Sequence, residues 1–337
     1  MGGLAALLYT AVASSQSPRP AAFLALSSSV VRVEVDRPGG GLSLGSGVTV
    51  APSVVVTNCH VTRDGTFARI AGAGRLWDVT AQYADVLRDL CFLRVPAWRG
   101  KPIVLGTSDG LRSGQPVAAL GFTGGLGISL RFGHVLALHS LGTGHVIETD
   151  TAFTSGASGG GLFDDTGALV GLLTFRLAGS GGNYYSLPAE WISGHIPTED
   201  QWSDLGPLRG PRPFWQSDAE SLPYFLRAAA LDAEGRWGAV LDLADLWSTM
   251  SPRDAEPLLV RGKTLQKLNR PGAAVVAFNA ALRLTPDEPS AWYGLAFAYA
   301  ALGDQAASRG AQAKLEVLDG GLAADVKARL GRSQDTE

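Results

Sequence analysis

The sequence predicts an all-β domain followed by an all-α helical-repeat domain, and three observations lead there. Glycine is unevenly spread, with only 12 of the 43 glycines beyond position 205, so the first part has a turn-rich texture that the second lacks. Through the first part, short β-branched runs alternate with Gly, Asp and Ser clusters, the pattern of a barrel or sandwich. In the second part Pro252 and Pro286 stand one 34-residue period apart, and periods of that length mark stacked helical hairpins.

Taken in order, residues 1–27 read as a signal peptide and N-terminal extension. Gly3 to Ala13 is short and apolar and ends in the small-x-small pattern Ala11-Val12-Ala13 before a Ser/Gln/Pro-rich stretch, which places cleavage after Ala13. No Lys or Arg precedes it, so an apolar tail or a misassigned start is the alternative. Residues 28–196 carry the strand runs: 30–35, 48–50, 54–56, 103–105, 116–120, 135–138 and 169–173. Residues 197–220 are rich in Pro, Trp, Gly and Asp, with Gly206-Pro207 and Gly210-Pro211-Arg212-Pro213 as breakers, and read as a linker.

Residues 221–337 hold the repeats. One period carries Gly262, Leu265, Ala274, Phe278, Ala281 and Pro286, and the next carries Trp292, Leu295, Ala296, Tyr299 and Gly303. A looser match precedes them through Tyr224, Ala228, Leu231 and Pro252. In such units small residues let paired helices approach and aromatics fill the space between turns, as in tetratricopeptide repeats. Leu322 to Leu330 is expected to form the polar capping helix that a solenoid end requires. An ordinary helical bundle is the competing architecture.

Composition narrows the function. A chain of 337 residues, 46% hydrophobic and 18% charged, suits two globular units. A net charge of −3 and a pI near 6.0 give no basic face for a phosphate backbone, so nucleic acid is not an expected partner. No apolar run long enough to span a bilayer follows the N-terminal segment. No cofactor and no metal ion is expected.

The chemistry concentrates in three places. Thr154-Ser155-Gly156-Ala157-Ser158-Gly159-Gly160-Gly161 frames a serine with glycines; Ser158 is the candidate nucleophile, and the N–H groups of Gly156 and Ser158 are candidate oxyanion donors, worth about 3–4 kcal/mol each where such donors act. A flexible connector is the plain alternative for so glycine-rich a run. A serine needs a base. Of His60, His134, His139, His145 and His195, only His60 closes a strand-forming apolar run, Val54-Val55-Val56-Thr57-Asn58-Cys59-His60. The imidazole in turn needs an orienting carboxylate. Asp89, ahead of Leu90-Cys91-Phe92-Leu93, enters the most apolar run; Asp78 and Asp85 are rivals. Cys59 precedes His60 and Cys91 follows Asp89 by two residues, so contact between imidazole and carboxylate would bring the cysteines within reach of a disulfide. Buried free thiols are the alternative.

These residues resemble the trypsin-like serine endopeptidases, specifically the bacterial HtrA-type branch. The match runs in order through Gly45-Ser46-Gly47 with Thr57 to Val61, Asp89 to Leu93, Thr149 to Gly160, and Asn183-Tyr184-Tyr185-Ser186-Leu187-Pro188. The resemblance covers residues 28 to 196 and implies two packed six-stranded β-barrels with a triad at their junction: His60 as general base, Asp89 as orienter and Ser158 as nucleophile. It also implies that Phe153 walls the pocket for the substrate residue before the scissile bond, with Leu173, Thr174 and Phe175 as a strand beside it; barrel core is the other role for Phe153. No acidic group marks that pocket, so cleavage after apolar residues is expected. Ala157 replaces the acidic residue of the digestive enzymes, and helical repeats stand where HtrA-type enzymes carry a PDZ domain. The expected partners are peptide or protein substrates and a protein bound by the repeats, in a secreted or periplasmic setting. A latent protease-fold scaffold that only binds proteins is the alternative from another class.

Overall fold

Successive residues of the first strands face opposite sides of a sheet, and both sides are buried. The computed structural model describes residues 23, 25–124, 127–177 and 183–334; the apolar segment Gly3–Ala13 lies outside them. β1 (Val30–Asp36), β2 (Leu42–Ala51), β3 (Val54–Thr57), β4 (Phe67–Gly72), β5 (Arg75–Asp78), β6 (Ala81–Asp85) and β7 (Leu90–Arg94) form one antiparallel sheet in the order β5-β4-β1-β2-β3-β7-β6. Val55 on β3 and Leu93 on β7 point into a cluster with Val31, Val33 and Ile70, whereas their neighbours Val56 and Phe92 point the other way, into a larger core.

β8 (Pro116–Thr123), β9 (Gly127–Leu141), β10 (Gly144–Thr149), β11 (Gly161–Phe163), β12 (Leu169–Arg176) and β13 (Tyr184–Pro188) close into a six-stranded barrel, β10-β13-β12-β11-β8-β9. The fold is therefore a trypsin-like pair of β units, with one correction: the first is a seven-stranded sheet, to which the short, largely exposed hairpin strand β5 adds an edge. A second correction concerns Ile103-Val104-Leu105, which forms only an isolated bridge, Leu105 to Leu169. Val104 is 71% exposed there, and the segment spans the two units, with Ile103 N–H donating to Thr49 O and Leu169 N–H to Val104 O.

The stretch expected to be a linker contains only two 3-10 turns, Glu199–Gln201 and Phe214–Gln216, yet it is tied down along its length. Ser203 pairs with Gln82 at the free edge of β6, which covers an edge that would otherwise template aggregation. Leu208 N–H donates to Arg63 O, Arg63 donates to the carbonyls of Gly210 and Pro211, and Phe214 N–H donates to Leu87 O. It is a strap.

The helical region consists of α1 (Cys59–Thr62) and α2 (Ala189–Ser193) within the β part, then α3 (Tyr224–Ala233), α4 (Trp237–Met250), α5 (Glu256–Lys267), α6 (Pro271–Leu284), α7 (Pro289–Ala301), α8 (Gln305–Leu318) and α9 (Gly320–Gln334). α4, α6 and α8 begin at residues 237, 271 and 305, keeping the 34-residue spacing. A side chain at Gly262 or Gly294 would strike the ring of Phe278 at 2.5 and 2.3 Å, so glycine there is what lets α5 and α7 close on that aromatic. α9 packs Ala323 and Val326 against the last pair.

The repeats are docked onto the β part through a shared core. Phe225, Leu226 and Trp247 belong to the same buried cluster as Val56, Phe92, Leu172 and Tyr185. Beside it His139 on β9 is bonded to Glu148 on β10 (2.7 Å) and Glu256 at the start of α5 (2.5 Å), with the Phe225 ring stacked on it at 4.2 Å. Burial alone would lower the basicity of His139, but the charges and hydrogen bonds of Glu256 and Glu148 push its pKa up to about 10. Burial works against charge on Glu148 too, yet the His139 hydrogen bond holds that carboxyl below the usual range, while burial raises Glu256.

Candidate active site

Strand register brings the first two candidate residues together. β3 pairs antiparallel with β7 with Thr57 opposite Cys91, so the residues leaving β3 meet those entering β7. Cys59 and Cys91 are joined as a disulfide, with Cα atoms 4.9 Å apart. Asn58 precedes α1 in extended conformation, and the turn that follows carries His60 over Asp89. His60 N–H donates to Asp89 Oδ1 at 2.8 Å, and His60 Nδ1 lies 2.7 Å from Asp89 Oδ2. Because the carboxylate can only accept, the ring proton belongs on Nδ1, which leaves Nε2 of the neutral ring free to accept. The rivals Asp78 and Asp85 have other settings: Asp78 pairs with Arg69 in the β4–β5 ladder, and Asp85 bonds Arg88 at 2.7 Å.

Asp89 is fully buried, and its backbone adopts a φ of 59°, a region that costs a non-glycine residue about 1 kcal/mol or more. The surroundings hold it there. Its carbonyl accepts from Cys59 N–H at 3.2 Å and from Asn58 Nδ2 at 3.1 Å, and its N–H donates to Val86 O at 3.2 Å. A third donor reaches the carboxylate from outside the β units, Trp215 Nε1 to Oδ2 at 3.1 Å.

Ser158 arrives from the opposite unit. Its carbonyl accepts from Ser46 N–H at 2.7 Å, Ser46 Oγ donates to Gly156 O at 2.7 Å, and Gly159 N–H donates to Leu173 O at 2.8 Å. These bonds seat the serine loop between β2 and β12. Ser158 Oγ donates to Thr174 O at 3.2 Å, and Thr174 Oγ1 accepts from the same Asn58 amide that holds Asp89 O. The hydroxyl is therefore bonded to a carbonyl in this structure, while His60, Asp89 and Ser158 are gathered by one chain of contacts through Asn58 and Thr174. His60 and Ser158 are part-exposed, and Asp89 is sealed beneath them.

The serine loop also aims two N–H groups. Ala157 N–H donates to Thr154 O at 3.0 Å with Gly156 at a φ of 95°, which is a type II turn and calls for glycine at that position. Ser155 O accepts from Gly124 N–H and Ala157 O from Gly160 N–H, both at 2.8 Å. Across a trans peptide the N–H points opposite to the C=O, so the N–H groups of Gly156 and Ser158 are directed away from those partners. Among the described residues neither has an internal acceptor.

The four residues expected at the substrate pocket are all buried. Phe153 packs with Leu173, Leu162 and Val170 in the core of the second barrel and touches the Tyr184 ring at 4.9 Å, so its side chain fills core. Thr174 acts as the hub just described. Phe175 lies flat against Trp215 with ring centroids 4.9 Å apart. Among the described residues no group of three His, Cys, Asp or Glu side chains is placed to hold a metal ion, and no helix is long and apolar enough to cross a membrane. Three participants are not singled out by the sequence reading. Asn58 and Ser46 stand inside the stretches that carry the resemblance, so a signal exists for them; Trp215 stands in the stretch expected to be a linker, where none does.

Comparison with known proteins agrees with this fold. The family described as trypsin-like peptidase domain matches residues 45–172, and the TPR repeat family matches residues 262–303. The periplasmic serine endoprotease DegP of Escherichia coli K12 is 32% identical over 171 residues, covering 46% of this chain and 36% of that protein. The anti-sigma-I factor RsgI9 of Acetivibrio thermocellus is 30% identical over 173 residues, covering 50% of this chain and 24% of that protein. The chain thus spans about a quarter to a third of the length of these two relatives. The solved Rv3671c protease of M. tuberculosis in its active form superposes with a TM-score of 0.51 at 22% identity, over 62% of this chain and 97% of that one, a likeness of fold.

Proposed function

We propose that this chain, which carries a trypsin-like peptidase domain with HtrA-type relatives followed by tetratricopeptide repeats, is an exported serine endopeptidase in which His60 is the general base, Asp89 its orienter and Ser158 the nucleophile. The single observation that carries the reading is the hydrogen-bonded path from His60 through Asp89, Asn58 and Thr174 to Ser158. It joins three residues remote in sequence and leaves the imidazole and its carboxylate in direct contact.

In the proposed cycle the Ser158 hydroxyl turns from Thr174 O toward His60 Nε2 and attacks the scissile carbonyl carbon as Nε2 takes its proton. Asp89 stabilises the imidazolium, and the N–H groups of Gly156 and Ser158 stabilise the oxyanion. Collapse returns the proton to the leaving amine and leaves an acyl ester on Ser158. Water then repeats the sequence and frees the acid. The peptidase unit is residues 28–196, with the site completed by the strap. A preference for apolar residues before the scissile bond is supported by the uncharged set Phe153, Leu173, Thr174 and Phe175, Phe153 shaping the site from the core. The repeat match supports recruitment of a protein partner or substrate. The Cys59–Cys91 bond supports a secreted or periplasmic setting, since such bonds persist in oxidising compartments.

A fluorophosphonate probe tests the reading. Full-length protein should label, and Ser158→Ala and His60→Ala should not, with unchanged circular dichroism. One observation favours a latent scaffold instead, namely the commitment of Ser158 Oγ to Thr174 O. Folded wild-type protein that stays unlabelled would decide for that reading.

A further inference from the structure

The Asp89 carboxylate is buried and has more accepting capacity than His60 uses. His60 supplies one donor to each oxygen, its N–H to Oδ1 and its ring nitrogen to Oδ2. A carboxylate accepts roughly four hydrogen bonds, and a buried charge with unfilled sites is costly. The nearest hydroxyl in the path to Ser158 does not help, because Thr174 Oγ1 donates to Leu172 O at 2.7 Å. Among the described residues the remaining donor is the indole of Trp215, 126 residues away in sequence, with Nε1 3.1 Å from Oδ2.

The indole also faces the imidazole. Its ring stands edge-on to His60, centroids 5.5 Å apart and planes at 85°, and lies flat on Phe175 with planes at 8°. The strap fixes this pose: Phe214 N–H holds Leu87 O at 2.9 Å, Gln216 N–H holds Pro213 O at 2.8 Å, and the Phe214 ring wedges between Phe175 and Trp191, 6.1 Å from each. A few residues on, α3 buries Phe225 in the core shared with the barrel. The donor is thus held by the segment that joins the β units to the repeats.

We infer that Trp215 is a positioning residue for the reaction: its N–H pins Asp89 Oδ2 against His60 Nδ1, keeping the imidazole in the tautomer and orientation that leave Nε2 open toward Ser158. This rests on the triad reading above. A carboxylate lacking that donor can turn about its Cβ–Cγ bond or admit water, and the imidazole loses its fixed aim. The peptidase is then complete only with a residue from beyond its own β units.

The test uses the full chain with two replacements, Trp215→Phe and Trp215→benzothienylalanine, the second having the shape of indole with sulfur in place of N–H. Three readouts are taken: the rate of Ser158 labelling by a fluorophosphonate, kcat and KM on fluorescein-labelled casein, and the low-field proton resonance of the His60–Asp89 bond, assigned by its loss in His60→Gln. Both replacements should slow labelling and lower kcat by about tenfold or more, the rate equivalent of one hydrogen bond to a charged group. KM should stay within about twofold, as expected when an interaction acts in the transition state alone, and the resonance should shift or broaden. Wild-type labelling, kcat and resonance in the benzothienyl protein would overturn the role, whether or not Trp215→Phe folds. If folded wild-type protein fails to label, the peptidase reading falls while the resonance still decides whether the indole orders the pair.

Discussion

Truncating Phe225 tests whether the repeats and the β units form one cooperative body. The ring is 4% exposed, sits in the core shared by both sheets and α4, stacks on His139 at 4.2 Å and approaches Tyr185 at 6.2 Å. Phe225→Ala removes its transfer free energy and leaves a cavity, together about 3–5 kcal/mol. Removing the ring also strips the protonated imidazole of an aromatic face, worth about 0.5–2 kcal/mol. Against a total stability of roughly 5–15 kcal/mol the loss is large. With a urea slope of about 3–4 kcal/mol/M for a unit of this size, the midpoint should fall by about 1–2 M. Hydrogen exchange resolved by peptide supplies the discriminating readout. If the core is common, protection falls together in the barrel strand Leu169–Arg176 and the helix Pro271–Leu284. Loss confined to the helices, with the strand unchanged, would refute the shared-core argument.

Three further outcomes follow from particular contacts. Gly159→Ala should abolish fluorophosphonate labelling and lower the melting temperature, because the residue has a φ of 85° and an added Cβ would lie 2.1 Å from Ser46 O, a backbone atom that cannot swing aside. Replacing both Cys59 and Cys91 by serine opens a loop of 32 residues and should cost about 3–4 kcal/mol in the chain-entropy account, read as the difference between melts of the two proteins. The His139 cluster, faced by Glu148, Glu256, Lys263, Asp254 and Tyr185, should make stability pH-dependent. His139 has a folded pKa raised from 6.5 to about 10, so its contribution is full below pH 6.5 and declines as pH rises through about 10; Glu148, being lowered, loses its contribution as pH falls below its ordinary range. The melting-temperature profile of His139→Gln should lack that alkaline slope, so that the slope appears in the difference from wild type, and an unchanged slope in the variant would place its origin elsewhere.

Much of the site was legible because each candidate residue lies beside a strand whose composition is locally strong. His60 comes soon after three valines, and Asp89 precedes four apolar residues; once β3 and β7 pair, the register brings the two segments together and the turn of α1 carries His60 over Asp89. The serine loop was legible through its glycines, two of which adopt positive φ. The first helical hairpin was hard to read for a physical reason. Its residues Phe225, Leu226 and Trp247 pack against the β units instead of a preceding repeat, so α4 keeps the 34-residue spacing while the residue types of a repeat stacked between repeats are not required of it. The His139 cluster was equally hidden, because its partners Glu148 and Glu256 come from a neighbouring strand and a distant helix.

The strap shows why a breaker-rich composition misleads. Pro and Gly report only that the local backbone cannot continue a helix or strand; they say nothing of partners far along the chain. Here those partners decide. Arg63, three residues after His60, donates to Gly210 and Pro211 across separations of 147 and 148 residues, and Leu87, two residues before Asp89, accepts from Phe214. Both segments that carry the candidate base and its carboxylate therefore grip the same extended stretch, and between those grips Trp215 is delivered to Asp89. Proline suits that task, since a chain with restricted φ loses less entropy when it is laid along a surface. An extended segment with few internal hydrogen bonds also keeps its backbone donors and acceptors available to the sheets beneath it, which is how a stretch without long regular structure comes to order the most buried charge in the site.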